Sequence, residues 1–174
     1  CLMLCGFFDS FDGIVARSKK DRTEEEKKFG IQIDSLVDLI SFGVYPAIIA
    51  YSMGFKSFPC LIIFIIYILG AVIRLGYFNV MEDMRQQQTT EKRKYYQGLP
   101  VTSSCLIFPM IYCLTVCLSV PQAQFVYLIG LLVVGILFVA NIKVIKPDFK
   151  GVLGLIGFGI ILLIILIIKG VVLI

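Results

Sequence analysis

FPCLIIFIIYILGAVIRLGYFNV, residues 58–80, runs for sixteen residues without a charge before reaching Arg74. A helix rises 1.5 Å per residue, so about 20 apolar residues cross a hydrocarbon core of about 30 Å. This stretch predicts a membrane span. Four more follow the same rule, at residues 32–53, 99–119, 124–142 and 152–174. Residues 1–16 are a sixth, apolar up to Asp9 but entered part way along at Cys1 without a methionine. The expectation is a fragment lacking its true N-terminus, so a missing targeting signal carries no meaning. The expected fold is therefore all-α and integral to a membrane, a polytopic bundle of about six helices with the first truncated. Composition agrees: 16% of residues are charged, against roughly a quarter in soluble domains. Apolar residues make up 59% of the chain and the mean hydropathy is +0.94.

Working outward, the charges fall between the spans in alternation. Arg17, Lys19, Lys20, Arg22, Lys27 and Lys28 lie in the first connection, Arg85, Lys92, Arg93 and Lys94 in the third, and Lys143, Lys146 and Lys150 in the fifth. The second and fourth connections hold only Lys56. By the positive-inside rule the basic loops face the cytoplasm. Anionic headgroups account for the net charge of +4, and no nucleic-acid partner is implied.

The six cysteines have no CxxC spacing and the chain has no histidine, which excludes a soft-metal site and leaves small apolar packing as their reading. Gly151, Gly154, Gly157 and Gly159 run into hydrocarbon and read as close helix packing rather than a nucleotide loop. Pro46 and Pro109 interrupt spans and are expected to kink them. TTEKRKYYQ, residues 89–97, reads as an interfacial re-entry into the bilayer, and Pro100 suits the first turn of the next helix.

Against this background the carboxylates stand out. Asp34 and Asp38 are four residues apart at the start of a span, stacked on one helix face about 6 Å apart along the axis. Asp9 and Asp12 share a face of the preceding helix, at the same membrane level. Four acids converging there would largely protonate unless a cation held them ionised. Arg17 is near, but a hard divalent cation serves better, since every donor is a carboxylate oxygen. The bland alternative is solvated helix-end aspartates, with Asp34 an N-cap. Gly13 and Gly30 keep both helices bare where the acids gather. Ala16 keeps that face low, and Arg17 offers a fork for phosphate oxygens. The combination suggests a phosphorylated ligand bridged by metal.

The pattern Asp9-x2-Asp12-Gly13-x2-Ala16-Arg17, then Gly30-x3-Asp34-x3-Asp38, closely resembles the signature of the CDP-alcohol phosphatidyltransferase family. Within it, DSLVDLISFGVYPAIIAY (34–51), IRLGYFNV (73–80) and YYQGLPVTSS (95–104) look like the phosphatidylserine synthase branch. The resemblance covers roughly the first two thirds of the chain, the last two spans matching as generic membrane helices. Twelve residues separate Arg17 from Gly30, more than the family pattern usually places there. They are charged and expected to loop into water, which lets the aspartate pairs meet.

The resemblance implies a single membrane domain over residues 1–174 that lacks the N-terminal helix of the family core. It implies transfer of a phosphatidyl group from CDP-diacylglycerol to the hydroxyl of L-serine, giving phosphatidylserine and CMP in phospholipid biosynthesis. Asp9, Asp12, Asp34 and Asp38 would ligate a two-metal site of Mg2+ or Mn2+, Gly13, Ala16, Arg17 and Gly30 would line the CDP moiety, and Asp38 would double as general base. Arg74, deep in a span, is the candidate for the serine carboxylate or else snorkels to headgroups, and Asn79 is a second acceptor contact. The implied setting is the cell membrane with the active site facing the cytoplasm, and a homodimer is left open. Two alternatives stay in play. One keeps the chemistry with glycerol phosphate, inositol phosphate or an archaeal ether lipid; the other is a cation-binding transporter.

Overall fold

In a computed structural model, the described residues are 1–19, 21–88, 95–115, 118–145 and 149–172. Helix α1 spans Leu2–Ser18 and α2 Glu24–Asp38, followed by a π-helical segment Leu39–Val44 and α3, Tyr45–Ser52. Then come α4, Phe58–Gln88, strand β1, Tyr95–Gln97, a 3-10 turn Val101–Ser103 and α5, Ser104–Leu114. Helix α6, Val120–Val139, strand β2, Lys143–Ile145, and α7, Phe149–Val172, complete the order. The protein is an all-α membrane fold carrying one short antiparallel ladder, Tyr95 opposite Ile145 and Gln97 opposite Lys143. Among the described residues three helical stretches are long and apolar enough to cross a membrane, Glu24–Ser52, Phe58–Arg85 and Val120–Val139, and two apolar helices, Val101–Leu114 and Leu153–Ile168, are shorter.

The core lies where α4 crosses α6. A Cβ on Gly70 would sit 2.6 Å from the Gly135 carbonyl oxygen, and one on Gly135 would sit 2.9 Å from Tyr67 Cα. The two backbones touch, which is how membrane helices gain dispersion contact where apolar burial gives no drive. Around the crossing pack Phe42, Tyr67, Phe108, Leu131 and Phe138, each nearly inaccessible. Phe58, Ile65 and Ile136 point outward, as lipid-facing side chains do.

Pro46 shapes the helix that carries Asp34 and Asp38. It has no N–H to donate, so carbonyls one turn earlier lose their helical partner. The chain widens to a π turn there, with Tyr45 N–H donating to Ile40 O. Tyr67 donates its hydroxyl to Phe42 O at 2.5 Å and meets Ser104 Oγ at 3.1 Å. The freed carbonyl is thus satisfied from α4, which locks the π turn to the core. Pro46 therefore widens its helix into a π turn beside the acids.

The charged insertion differs from expectation. It loops only briefly, because Thr23 and Glu26 form a reciprocal capping box and start α2 at Glu24, more than a turn before Gly30. Lys19 Nζ to Glu26 Oε1 at 2.6 Å ties the C-terminal end of α1 to the same cap. Asp34 lies inside α2, so it is not an N-cap.

The 95–100 segment turns on Gly98, whose φ of +79° favours glycine. Its N–H donates to Ile142 O at 2.6 Å, and Leu99 N–H to Leu137 O at 3.1 Å. Pro100 caps the 3-10 turn ahead of α5 rather than opening α5 itself. Of the expected re-entry, Tyr95–Gln97 is strand, while residues 89–94, with Lys92, Arg93 and Lys94, lie outside the described residues.

Candidate active site

Asp9 and Asp12 project from α1, which is seated on α5 one turn earlier: a Cβ on Gly6 would lie 2.5 Å from Cys105 Sγ. Asp34 and Asp38 project from the last turn and a half of α2. One carboxylate oxygen from each of Asp9, Asp12 and Asp34 lies within 4.8 Å of the others. Asp38 joins them at the edge, its carboxyl lying against that of Asp9, while Asp34 lies against Asp12. Asp9 and Asp38 are half-buried, and Asp12 and Asp34 are exposed. The four acids singled out in the sequence form one cluster.

Ligand atoms on one divalent cation lie at most about 4 to 5 Å apart, and Mg2+ and Ca2+ take oxygen donors. The Asp9, Asp12 and Asp34 oxygens meet both conditions. A hard divalent cation therefore fits the donor set. Repulsion among carboxylates this close gives a second reason for a cation to be held between them.

The remaining candidates fall into three groups. Gly30 sits one turn before Asp34, and a Cβ there would be 2.7 Å from Arg22 Nη2, so its bare surface faces a guanidinium from the insertion. Gly13, Ala16 and Arg17 continue α1 as backbone, and their side chains lie outside the described residues. Arg74 and Asn79, five residues apart, point about 140° apart around α4. Arg74 is 5% exposed, and donates Nε to Leu99 O at 3.0 Å and Nη2 to Gly98 O at 3.4 Å. It also stands over the Phe78 ring at 5.7 Å. Beside it a cavity of about 260 Å3 opens between α4, α6 and the ladder, lined by Tyr77, Gln97 and Asn141 among others. Arg74 is thus engaged in holding the 98–99 turn, and the snorkelling alternative does not describe it. Asn79 reaches across to α2 instead: Nδ2 donates to Ser35 Oγ at 2.8 Å.

Ser35, Tyr67 and Ser104 support the site without having been picked out in the sequence. Pro46 was the available signal for Tyr67, because a missing N–H beside buried backbone calls for a donor from elsewhere. Ser35 had no comparable signal.

Comparison with known proteins adds independent support. A family model described as CDP-alcohol phosphatidyltransferase matches residues 1–139, which takes in α6 and passes the reach of the sequence motifs. The CDP-diacylglycerol–serine O-phosphatidyltransferase of Saccharomyces cerevisiae is 39% identical over 108 residues, 61% of this chain and 38% of that protein. The archaetidylserine synthase of Methanothermobacter thermautotrophicus is 34% identical over 152 residues, 86% of this chain and 58% of its own length. A CDP-diacylglycerol–serine O-phosphatidyltransferase of Methanocaldococcus jannaschii is 33% identical over 128 residues, 74% of this chain and 56% of its own. The chain spans between 38% and 58% of the lengths of these curated relatives. With the family pattern matched from Cys1 to Val139 and its four acids gathered in space, the chain belongs to the CDP-alcohol phosphatidyltransferase family.

Proposed function

We propose that this protein transfers a phosphatidyl group from CDP-diacylglycerol to the hydroxyl of L-serine, releasing CMP, at a divalent-metal site. The observation that carries the reading is the gathering of Asp9, Asp12 and Asp34 oxygens within 4.8 Å, with Asp38 against Asp9 at its edge. The acceptor rests on the relatives, whose names all contain serine although one carries an archaetidyl group and the others a phosphatidyl group. The acids lie at the end of a basic connection, so the positive-inside rule puts the site on the cytoplasmic side of the membrane.

Asp9, Asp12, Asp34 and Asp38 would hold Mg2+ or Mn2+ in a two-metal site. When bound, such cations neutralise the diphosphate and stabilise the departing phosphate oxygen. The protein's own groups do the rest. Gly13, Ala16, Arg17 and Gly30 leave room for the nucleotide along α1 and α2 and offer a cation to its phosphates. Asp38 accepts the serine hydroxyl proton as that oxygen bonds to the lipid-side phosphorus, while the bond from that phosphorus to the CMP oxygen breaks and CMP leaves as an anion. A serine hydroxyl is a weak nucleophile at neutral pH, so proton removal and alignment are both needed.

The test follows CMP release from CDP-diacylglycerol by the whole protein in detergent with Mg2+ or Mn2+. Serine, glycerol phosphate and inositol phosphate are supplied separately. Serine is expected to exceed each of the others by at least about tenfold, because a site that pairs an acceptor's polar groups rejects one it cannot pair. Faster release with a phosphorylated acceptor would move the protein to a sister branch. Silence with every acceptor in a folded, metal-loaded sample would turn the assignment toward cation transport.

A further inference from the structure

Asp38 sits between two points at which its helix is fastened to α4. After it, the π turn is fixed where a Cβ on Gly43 would meet Ala71 Cβ at 3.1 Å. Before it, Ser35 Oγ donates to Ile31 O at 3.1 Å within α2 and accepts from Asn79 Nδ2 at 2.8 Å across to α4. Ser35 follows Asp34 directly and precedes Asp38 by three residues. At about 100° per residue its side chain lies about 100° from that of Asp34 and about 60° from that of Asp38. The acids therefore face α1 while Ser35 faces α4.

We infer that Asn79 is a positioning residue: by holding Ser35 it sets the rotation of α2 and so the place of the Asp34 and Asp38 carboxylates against Asp9 and Asp12. The inference rests on reading the cluster as a metal centre. Carboxylate oxygens stand about 6 Å from the helix axis, so a slip of about 20° displaces them by about 2 Å. A metal constellation tolerates about 0.5 Å. Loss of one interhelical bond thus disturbs the site more than it disturbs the bundle, whose main α4–α6 crossing lies elsewhere. Arg74 cannot replace the link, since it points to the other side of α4 and donates to Gly98 and Leu99.

The experiment titrates the whole protein in detergent with Mn2+ and no substrate, reading free Mn2+ by electron paramagnetic resonance, for wild type, Asn79→Ala, Ser35→Ala, Ser35→Thr and the double alanine variant. Each alanine variant is expected to weaken Mn2+ binding about tenfold, the range for groups that orient metal ligands. The double variant should be no worse than either single one, because one bond is removed once. Ser35→Thr, which keeps the hydroxyl, should bind as wild type does. Ser35→Ala removes a single oxygen and carries the same expectation if Asn79→Ala does not fold. Unchanged Mn2+ affinity in both alanine variants overturns the inference; so does, in a separate steady-state assay of CMP release at saturating Mn2+, a rise in serine KM confined to Asn79→Ala, which would make Asn79 an acceptor contact. A wild-type protein that binds no Mn2+ overturns the reading of the cluster itself, and this inference with it.

Discussion

Asp38→Asn is expected to lower serine-dependent CMP release by about 10^2- to 10^4-fold, the range that one well-placed general base contributes. Asparagine has nearly the same shape, so α2 and the π turn behind it should fold unchanged. It cannot take a proton, and it removes one negative charge from beside Asp9. The loss should appear in kcat, with KM for the CDP-lipid changed far less, because a proton acceptor acts in the transition state and not in donor binding. Steady-state kinetics at saturating metal separates this from a purely ligating role. A defect that excess Mn2+ repairs would make Asp38 a metal ligand alone.

Gly70→Val is expected to abolish the folded state. The first carbon added there would stand 2.6 Å from the Gly135 carbonyl oxygen, and backbone cannot swing aside as a side-chain tip can. Overfilling a packed core costs about 1–3 kcal/mol even where side chains yield, and here α4 and α6 must separate along their main crossing. Gly76→Ala on the same helix is the control, since nothing lies within 4 Å of its added carbon. Alanine also favours helix over glycine by about 1 kcal/mol. Size-exclusion chromatography and thermal denaturation in detergent should show Gly70→Val aggregated or unfolded and Gly76→Ala at least as stable as wild type.

Three membrane-length helices among the described residues, out of the six spans expected, and the acid cluster were legible because each rests on a local regularity: long apolar runs for the former, three- and four-residue spacing of aspartates for the latter. What stayed hidden depends on partners distant in the chain. The π turn needs the Pro46 ring nearby and the Tyr67 hydroxyl from α4, and nothing in LISFGV alone announces it. The ladder joins three residues from each of two loops nearly fifty positions apart, too short for any alternation to register. Arg74 read either as an acceptor contact or as snorkelling to headgroups, and neither reading supplied the carbonyls it donates to. Its carbonyl partners on Gly98 and Leu99 become available only through a turn with positive φ. Thr23-x-x-Glu26 is a capping box visible in the sequence itself, and it moves the start of α2 into the charged insertion.

The central claim is that α1 and α2 together build a divalent-metal centre. Its most direct test is Mn2+ binding to the whole protein in detergent, read by electron paramagnetic resonance without any substrate, for wild type, Asp12→Asn and Asp34→Asn. Saturable binding, displaced by Mg2+ and weakened at least about tenfold by either replacement, is the predicted result. Mn2+ binding that neither replacement alters would contradict it, and would separate the acids from the metal on which the proposed chemistry depends.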